Sequence, residues 1–253
     1  MIRSLWKKGW PPLLTAILLL LLWQLGVTWA GTPAWRLPAP LQIVEEGIRQ
    51  APLLGKHVSF TVSITLLGFA IGSALGLLIA CLLHVIPGMK AAFYPLLVLS
   101  QNVPTIALAP LLMIWFGFGL LPKLIVITLV CFFPVTVAAL GGLSNPDPGM
   151  HRYLEMIGAR RSQLFWKLEL PYALPSVFSG LKISATYSVM GGVIAEWLGS
   201  DKGIGVFMLL AKSSFRTDRV FVAIFLIVVL SLLLFGAIVL LEKWTVRWKP
   251  DKH

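Results

Sequence analysis

The sequence predicts an all-α integral membrane protein with six transmembrane helices, on three observations. Of 253 residues, 58% are hydrophobic and only 12% are charged, whereas a soluble domain charges roughly a quarter of its residues. Mean hydropathy is +0.88. The apolar residues also lie in long runs, and about 20 of them in a helix cross a hydrocarbon layer of roughly 30 Å.

Six stretches meet that length: residues 12–30, 58–86, 92–116, 124–143, 174–198 and 220–241. The first follows Arg3, Lys7 and Lys8 and ends at Thr28-Trp29-Ala30, which also fits a cleavable signal peptide. Its apolar core from Leu13 to Val27 is long for one, and with five spans following, an uncleaved first helix is the simpler reading.

The net charge of +11 and a pI near 10.0 do not indicate nucleic-acid binding, because long uncharged runs separate the basic residues. Cys81 and Cys131 both lie inside apolar runs, where a thiol behaves as a small hydrophobe. No phosphate-cradling loop or HExxH pair is present, and His57, His84, His151 and His253 are scattered. The sequence therefore predicts no catalysis, no cofactor and no metal.

With the N-terminus in the cytosol, the inside segments carry Arg3, Lys7, Lys8, Lys90, Arg152, Arg160, Arg161, Lys167, Lys243, Arg247, Lys249 and Lys252. The outside segments carry Arg36, Arg49, Lys56, Lys123, Lys202, Lys212, Arg216 and Arg219. The bias places both termini in the cytoplasm. Trp6, Trp10, Trp23, Trp29 and Trp35 at one end, with Trp244 and Trp248 at the other, fit interfacial anchoring.

Residues 144–171 form the longest cytosolic connection. After Ser144-Asn145-Pro146-Asp147-Pro148, the apolar residues Tyr153, Leu154 and Ile157, then Leu164, Phe165 and Leu168, recur at helical spacing among Arg152, Glu155, Arg161 and Lys167. The pattern predicts two short amphipathic helices broken at Gly158. They fit either the headgroup layer or a groove in a partner protein.

Gly158, nine residues, then Leu168-Glu169-Leu170-Pro171 resembles the cytoplasmic signature of binding-protein-dependent ABC importer permeases. The signature's opening Glu-Ala-Ala falls on Arg152, Tyr153 and Leu154 here, a departure. The resemblance implies a type I importer permease (MetI-like) fold as a single domain, with a core over about 58–248 and a coupling segment at 148–171. It assigns ATPase coupling to Glu155, Gly158, Ala159, Leu168, Leu170 and Pro171. It also implies a second copy of the chain, two cytoplasmic ABC ATPase subunits that hydrolyse the ATP, an extracytoplasmic substrate-binding protein, and a bacterial inner membrane.

Ser100-Gln101-Asn102-Val103-Pro104-Thr105 through Trp115-Phe116-Gly117-Phe118-Gly119 is similar to the branch that imports sulfonates, nitrate-like anions and thiamine precursors. Ala185-Thr186-Tyr187-Ser188, Glu196-Trp197-Leu198-Gly199 and Ser214-Phe215 look most like permeases for the pyrimidine precursor of thiamine. Aliphatic sulfonate, taurine or nitrate-like anions are the alternative solutes.

Polar residues inside the spans complete the reading, since hydrocarbon offers them no hydrogen bonds. Gln101, Asn102 and Thr105 stand among Pro95, Pro104 and Pro110 in the third span, where the prolines are expected to bend the helix, and Ser184, Tyr187 and Ser188 stand in the fifth. These, with Glu196, are the candidate translocation path; interhelical hydrogen bonding is the competing account. Lys182 is expected to snorkel toward the cytosol, with its charge in the cavity as the alternative, and Glu196 to be either an interfacial acid satisfied by Trp197 or by loop amides, or a gate or binding-protein contact. Gly68, Gly72 and Gly76 form a small-residue seam within one chain or between two. An ion-driven secondary transporter is disfavoured, because no acid lies between Glu46 and Asp147.

Overall fold

The computed structural model describes residues 2–246, and the side chains among them apart from those of residues 2–9, 12, 13 and 106. Arg247, Trp248, Lys249, Lys252 and His253, together with the side chains of Arg3, Trp6, Lys7 and Lys8, lie outside the described residues.

The described residues form ten α-helices and no strand. They are α1 (Ile2–Trp29), α2 (Pro40–Val85), α3 (Met89–Ser100), α4 (Thr105–Phe116), α5 (Leu120–Leu143), α6 (Pro148–Met156), α7 (Arg161–Leu164), α8 (Leu170–Trp197), α9 (Ile204–Ser213) and α10 (Thr217–Thr245). Four helices are individually long and apolar enough to cross a membrane: Pro40–Val85, Leu120–Leu143, Arg161–Trp197 and Thr217–Thr245. The first span is α1, and α3 with α4 supplies the third.

Three expectations change. The third span is broken, with a non-helical turn at Gln101–Pro104. Pro104 cannot donate a backbone N–H and pushes its predecessor out of the helical region, so the chain unwinds where a bend was expected. The second span starts at Pro40, and 46 residues at about 1.5 Å each far exceed the hydrocarbon thickness. Glu45 and Glu46 are therefore helical, and Glu46 accepts from Arg219 Nε (2.8 Å) and lies 3.0 Å from Arg216 Nη2, tying α2 to the start of α10. Finally, the second amphipathic helix is no separate element: one π-turn, Phe165–Glu169, joins α7 directly to α8.

The core is the seam of α2, α5 and α8, with α5 in the middle. A Cβ on Gly68 would come 2.5 Å from Ile127 Cγ2, and one on Gly72 would come 2.7 Å from the Thr128 carbonyl oxygen. The glycine seam thus brings α2 onto α5 of the same chain, as small residues do where lipid supplies no hydrophobic drive between helices. On the other flank, a Cβ on Gly180 would meet the Pro134 carbonyl at 2.8 Å.

Lys182 does not snorkel alone. Its Nζ is 2.8 Å from Glu242 Oε2 on α10, because a partner within reach lowers the cost of a charge near the apolar layer more than extension toward water would. Lys123, expected in an external segment, is buried at the start of α5, where it donates to Ser200 Oγ at 3.0 Å.

Candidate functional site

The elbow at residues 144–160 is built by local rules. Asp147 caps α6 by accepting the Met150 amide at 2.7 Å, and Pro148 occupies the first helical position. At the other end the Gly158 amide donates to the Glu155 carbonyl (3.0 Å) and the Ala159 amide to the Leu154 carbonyl (3.0 Å). That bond pair closes a Schellman cap and requires the left-handed conformation at Gly158, φ +82. The break expected at Gly158 is therefore present. Gln163 Oε1 then accepts the Arg160 amide at 2.8 Å and restarts the helix.

What α6 lacks is packing. Met150, Tyr153, Met156 and Ile157 are all exposed, Met156 at 79%, and no residue of α6 is buried. Positions 150, 153 and 157 share one face by the three-and-four spacing. The apolar face of this nine-residue amphipathic helix is thus left largely uncovered by the described residues, the kind of surface that interaction sites present. Trp166 in the π-turn is also exposed; it and the two methionines were not singled out from the sequence, where only helical spacing and flexible apolar side chains could have marked them.

The coupling candidates separate into two groups. Glu155, Gly158 and Ala159 sit on the elbow, whereas Leu168, Leu170 and Pro171 are half-buried at its root, where the π-turn enters α8. Within the second group lies Glu169, to which the sequence assigned no role. It is 3% exposed and accepts from Arg161 Nη1 at 2.6 Å and His84 Nε2 at 2.8 Å. His151 Nε2 approaches it from α6 at 3.7 Å. Arg161 Nη2 lies 3.1 Å from the same His84 nitrogen. That nitrogen can carry its proton toward the carboxylate or accept from the guanidinium, not both, and the shorter contact to an anion decides for donation. One carboxylate therefore joins α2, α6 and the root of α8.

The path candidates also divide. Ser184 and Ser188 are fully buried and face inward: Ser184 Oγ donates to the Cys131 carbonyl at 3.0 Å, and Ser188 Oγ donates to the Ala185 carbonyl at 2.8 Å. Tyr187 is 48% exposed on the adjoining face, in a stripe with Ser179, Ile183 and Met190. Gln101 and Asn102 are exposed in the unwound turn, where Asn102 Nδ2 donates to the Val98 carbonyl at 3.1 Å, and Thr105 opens α4. Glu196 is 1% exposed, with Thr61 Oγ donating to Oε1 (2.6 Å) and the Gly205 amide donating to Oε2 (2.7 Å). Its carboxylate is satisfied inside the protomer by a side-chain hydroxyl and one amide of the first turn of α9, rather than by Trp197 or a loop.

Comparison with known proteins identifies this architecture. A family model described as the inner membrane component of binding-protein-dependent transport systems matches residues 72–247. The chain belongs to that family. It is 36% identical over 242 residues to a formylaminopyrimidine transport permease protein of Halalkalibacterium halodurans, covering 95% of this chain and 96% of the relative. A riboflavin transport system permease protein of Chloroflexus aurantiacus is 33% identical, covering 99% and 95%. A putative aliphatic sulfonates transport permease protein of Bacillus subtilis is 30% identical, covering 96% and 88%. Among solved structures, an amino acid ABC transporter with histidines superposes with a TM-score of 0.66 at 16% identity, over 78% of this chain and 95% of that one; at that identity the likeness concerns the fold. The chain is thus an ABC importer permease, a multi-pass membrane protein of a family that works with an ATPase and a substrate-binding protein.

Proposed function

We propose that the chain acts as one domain, with its core over about 58–248, and forms half of a homodimeric translocation path. The unpacked apolar face of α6 carries this reading. In it, α6 and the elbow at Glu155, Gly158 and Ala159 seat in a cleft of each of two cytoplasmic ATPase subunits, and Leu168, Leu170 and Pro171 transmit the movement into the fifth span. Both termini are then cytoplasmic, and the 199–219 segment, with α9 in it, faces the substrate-binding protein. Closure of the ATPases shifts the spans between two states as rigid bodies.

The path lies between the copies, lined by the unwound Gln101–Asn102 turn, Thr105 and Tyr187. The chemistry of those positions supports a neutral solute. No cation stands in the exposed α8 stripe, Lys182 is matched by Glu242, and Lys123 is turned inward to Ser200. A sulfonate crossing there would find hydrogen-bond donors without a counter-charge, and uncompensated charge in low dielectric is costly. The amide side chains suit a planar hydrogen-bonding pyrimidine, in keeping with the 36% identical formylaminopyrimidine permease; the putative sulfonates permease keeps the anionic alternative in the test.

Reconstitution with the cognate ATPase and binding protein tests both parts. ATP-dependent uptake of the formylamino or hydroxymethyl pyrimidine is expected, and uptake of taurine alone would replace the substrate. A cysteine at Ala159 is expected to cross-link to the ATPase cleft in a nucleotide-dependent way; transport without any such cross-link would remove the coupling role.

A further inference from the structure

Two side chains from two long helices hold the first turn of α9. The amides of Gly203, Ile204 and Gly205 belong to the set that a helix start leaves without intrahelical partners. Gly205 N–H donates to Glu196 Oε2 (2.7 Å) and Ile204 N–H to Thr61 Oγ (2.9 Å), while that hydroxyl donates its proton to Glu196 Oε1 (2.6 Å). A third side chain, His57, one turn before Thr61, reinforces the grip. Its Nδ1 lies 3.1 Å from the Gly203 amide and 2.9 Å from the Gly203 carbonyl, so either tautomer engages that residue.

The surrounding backbone is shaped to this carboxylate. Gly203 sits at φ +121, and a Cβ there would overlap the Glu196 carboxyl group. A Cβ on Gly205 would come 2.5 Å from the Val193 carbonyl and 3.0 Å from Glu196 Oε2. The buried half of α9, Ile204 to Phe207, is the half these bonds hold, while Leu209, Leu210 and Phe215 stay exposed. A buried acid persists in such a place only when both oxygens are bonded, and at 1% exposure these oxygens are out of reach of a passing solute.

We infer that Glu196 is a positioning residue: it pins α9 to the second and fifth spans, so that the far ends of those spans and α9 move as one body. The 199–219 segment is thereby presented to the solute-delivering protein in a fixed attitude. This rests on the importer reading above for its consequence in transport, though the pin itself does not. The hydrogen bonds, not the charge, are what matter. A glutamine can accept the Gly205 amide and donate to Thr61 Oγ, whose proton then turns to the His57 carbonyl oxygen, 3.1 Å away.

The test uses the full complex in liposomes with its ATPase and binding protein. Glu196→Leu is expected to lower ATP-dependent uptake about tenfold, and Glu196→Gln to stay within about threefold of the parent, following the cost of leaving buried donors unpaired. Glutamine as damaging as leucine would overturn the proposal in favour of a charge role, and leucine without effect would overturn it outright. Spin labels at Leu66 and Leu210, with Cys81 replaced by serine, give a readout independent of transport. One narrow distance distribution is expected in the parent and in Glu196→Gln, and a broadened one in Glu196→Leu; equal widths in all three would end the proposal. If Glu196→Leu does not assemble, Thr61→Val carries the same labels, with broadening expected and an unchanged width overturning the pin. A parent complex that fails to import would strike the importer reading while the label distances still decide this one.

Discussion

At the elbow end of α8 Glu169 is met by charged or chargeable groups, and at the far end Glu196 is met by neutral donors. Arg161, which is half-exposed, and His84 hold the first; a threonine hydroxyl and a peptide N–H hold the second. Both carboxylates are nearly inaccessible, and both bind the same helix, α2. The difference follows from their surroundings. Where α8 leaves the apolar layer, an arginine can keep one face in water while it pairs, so an ion pair is affordable. At the far end, where α2 and α9 enclose Glu196, a charged partner in direct contact would add its own desolvation cost, and preorganised dipoles do the holding instead.

The strongest way to break the comparison is to damage what both ends share. Gly72→Val should push α2 off α5, because its Cβ would meet Cys131 Cβ and the Thr128 carbonyl at 2.7 Å. A cost of about 3 kcal/mol or more is expected for such overpacking, with loss of assembled protein in size-exclusion chromatography. If Gly72→Val assembles normally, the seam is not what aligns the two ends.

Next in size, Glu169→Leu leaves Arg161 and His84 without their anion. About 1–3 kcal/mol is expected, discounted for the half-exposed arginine, read as a lower midpoint of thermal unfolding in detergent and as reduced uptake per ATP hydrolysed. The sharper test sets two conservative variants side by side. Glu169→Gln should lose most of what leucine loses there, whereas Glu196→Gln should lose little. Raising salt from about 0.05 to 0.5 M should lower the unfolding midpoint of the parent but not of Glu169→Gln, since screening reaches partly exposed pairs first. Equal behaviour of the two glutamines would erase the distinction between charged and neutral holding.

The smallest effect belongs to a pair of intermediate kind. Lys182→Met is expected to cost about 1 kcal/mol or less, because Lys182 and Glu242 are each about a quarter exposed. The double replacement Lys182→Met with Glu242→Met should return close to the parent in the same unfolding assay.

Much of this was legible before any coordinates. Run length and charge scarcity located six spans, and Gly158 announced its break because only a residue without Cβ adopts left-handed geometry at no cost. The expectation for the third span failed in degree: prolines spaced along a span mark a bend, but whether the backbone unwinds depends on what else packs there, and α3 buries nothing. Glu169 was invisible in sequence because its partners lie 85 residues upstream and 8 back, and no local pattern joins them. Ser184 and Tyr187 looked like one polar run, since three residues along a helix leave two side chains only about 60° apart around its axis, and only the position of α5 decided where between them burial stops.

The sequence by itself determined that this chain lives in a membrane, how many times it crosses, and where the elbow bends, because hydrocarbon thickness and backbone sterics act on neighbouring residues. Only the tertiary structure decided which polar groups are spent inside the protomer and which are left facing outward. A hydrogen bond requires a partner within about 3 Å, and in this fold the partners of the decisive acids come from helices far away along the chain.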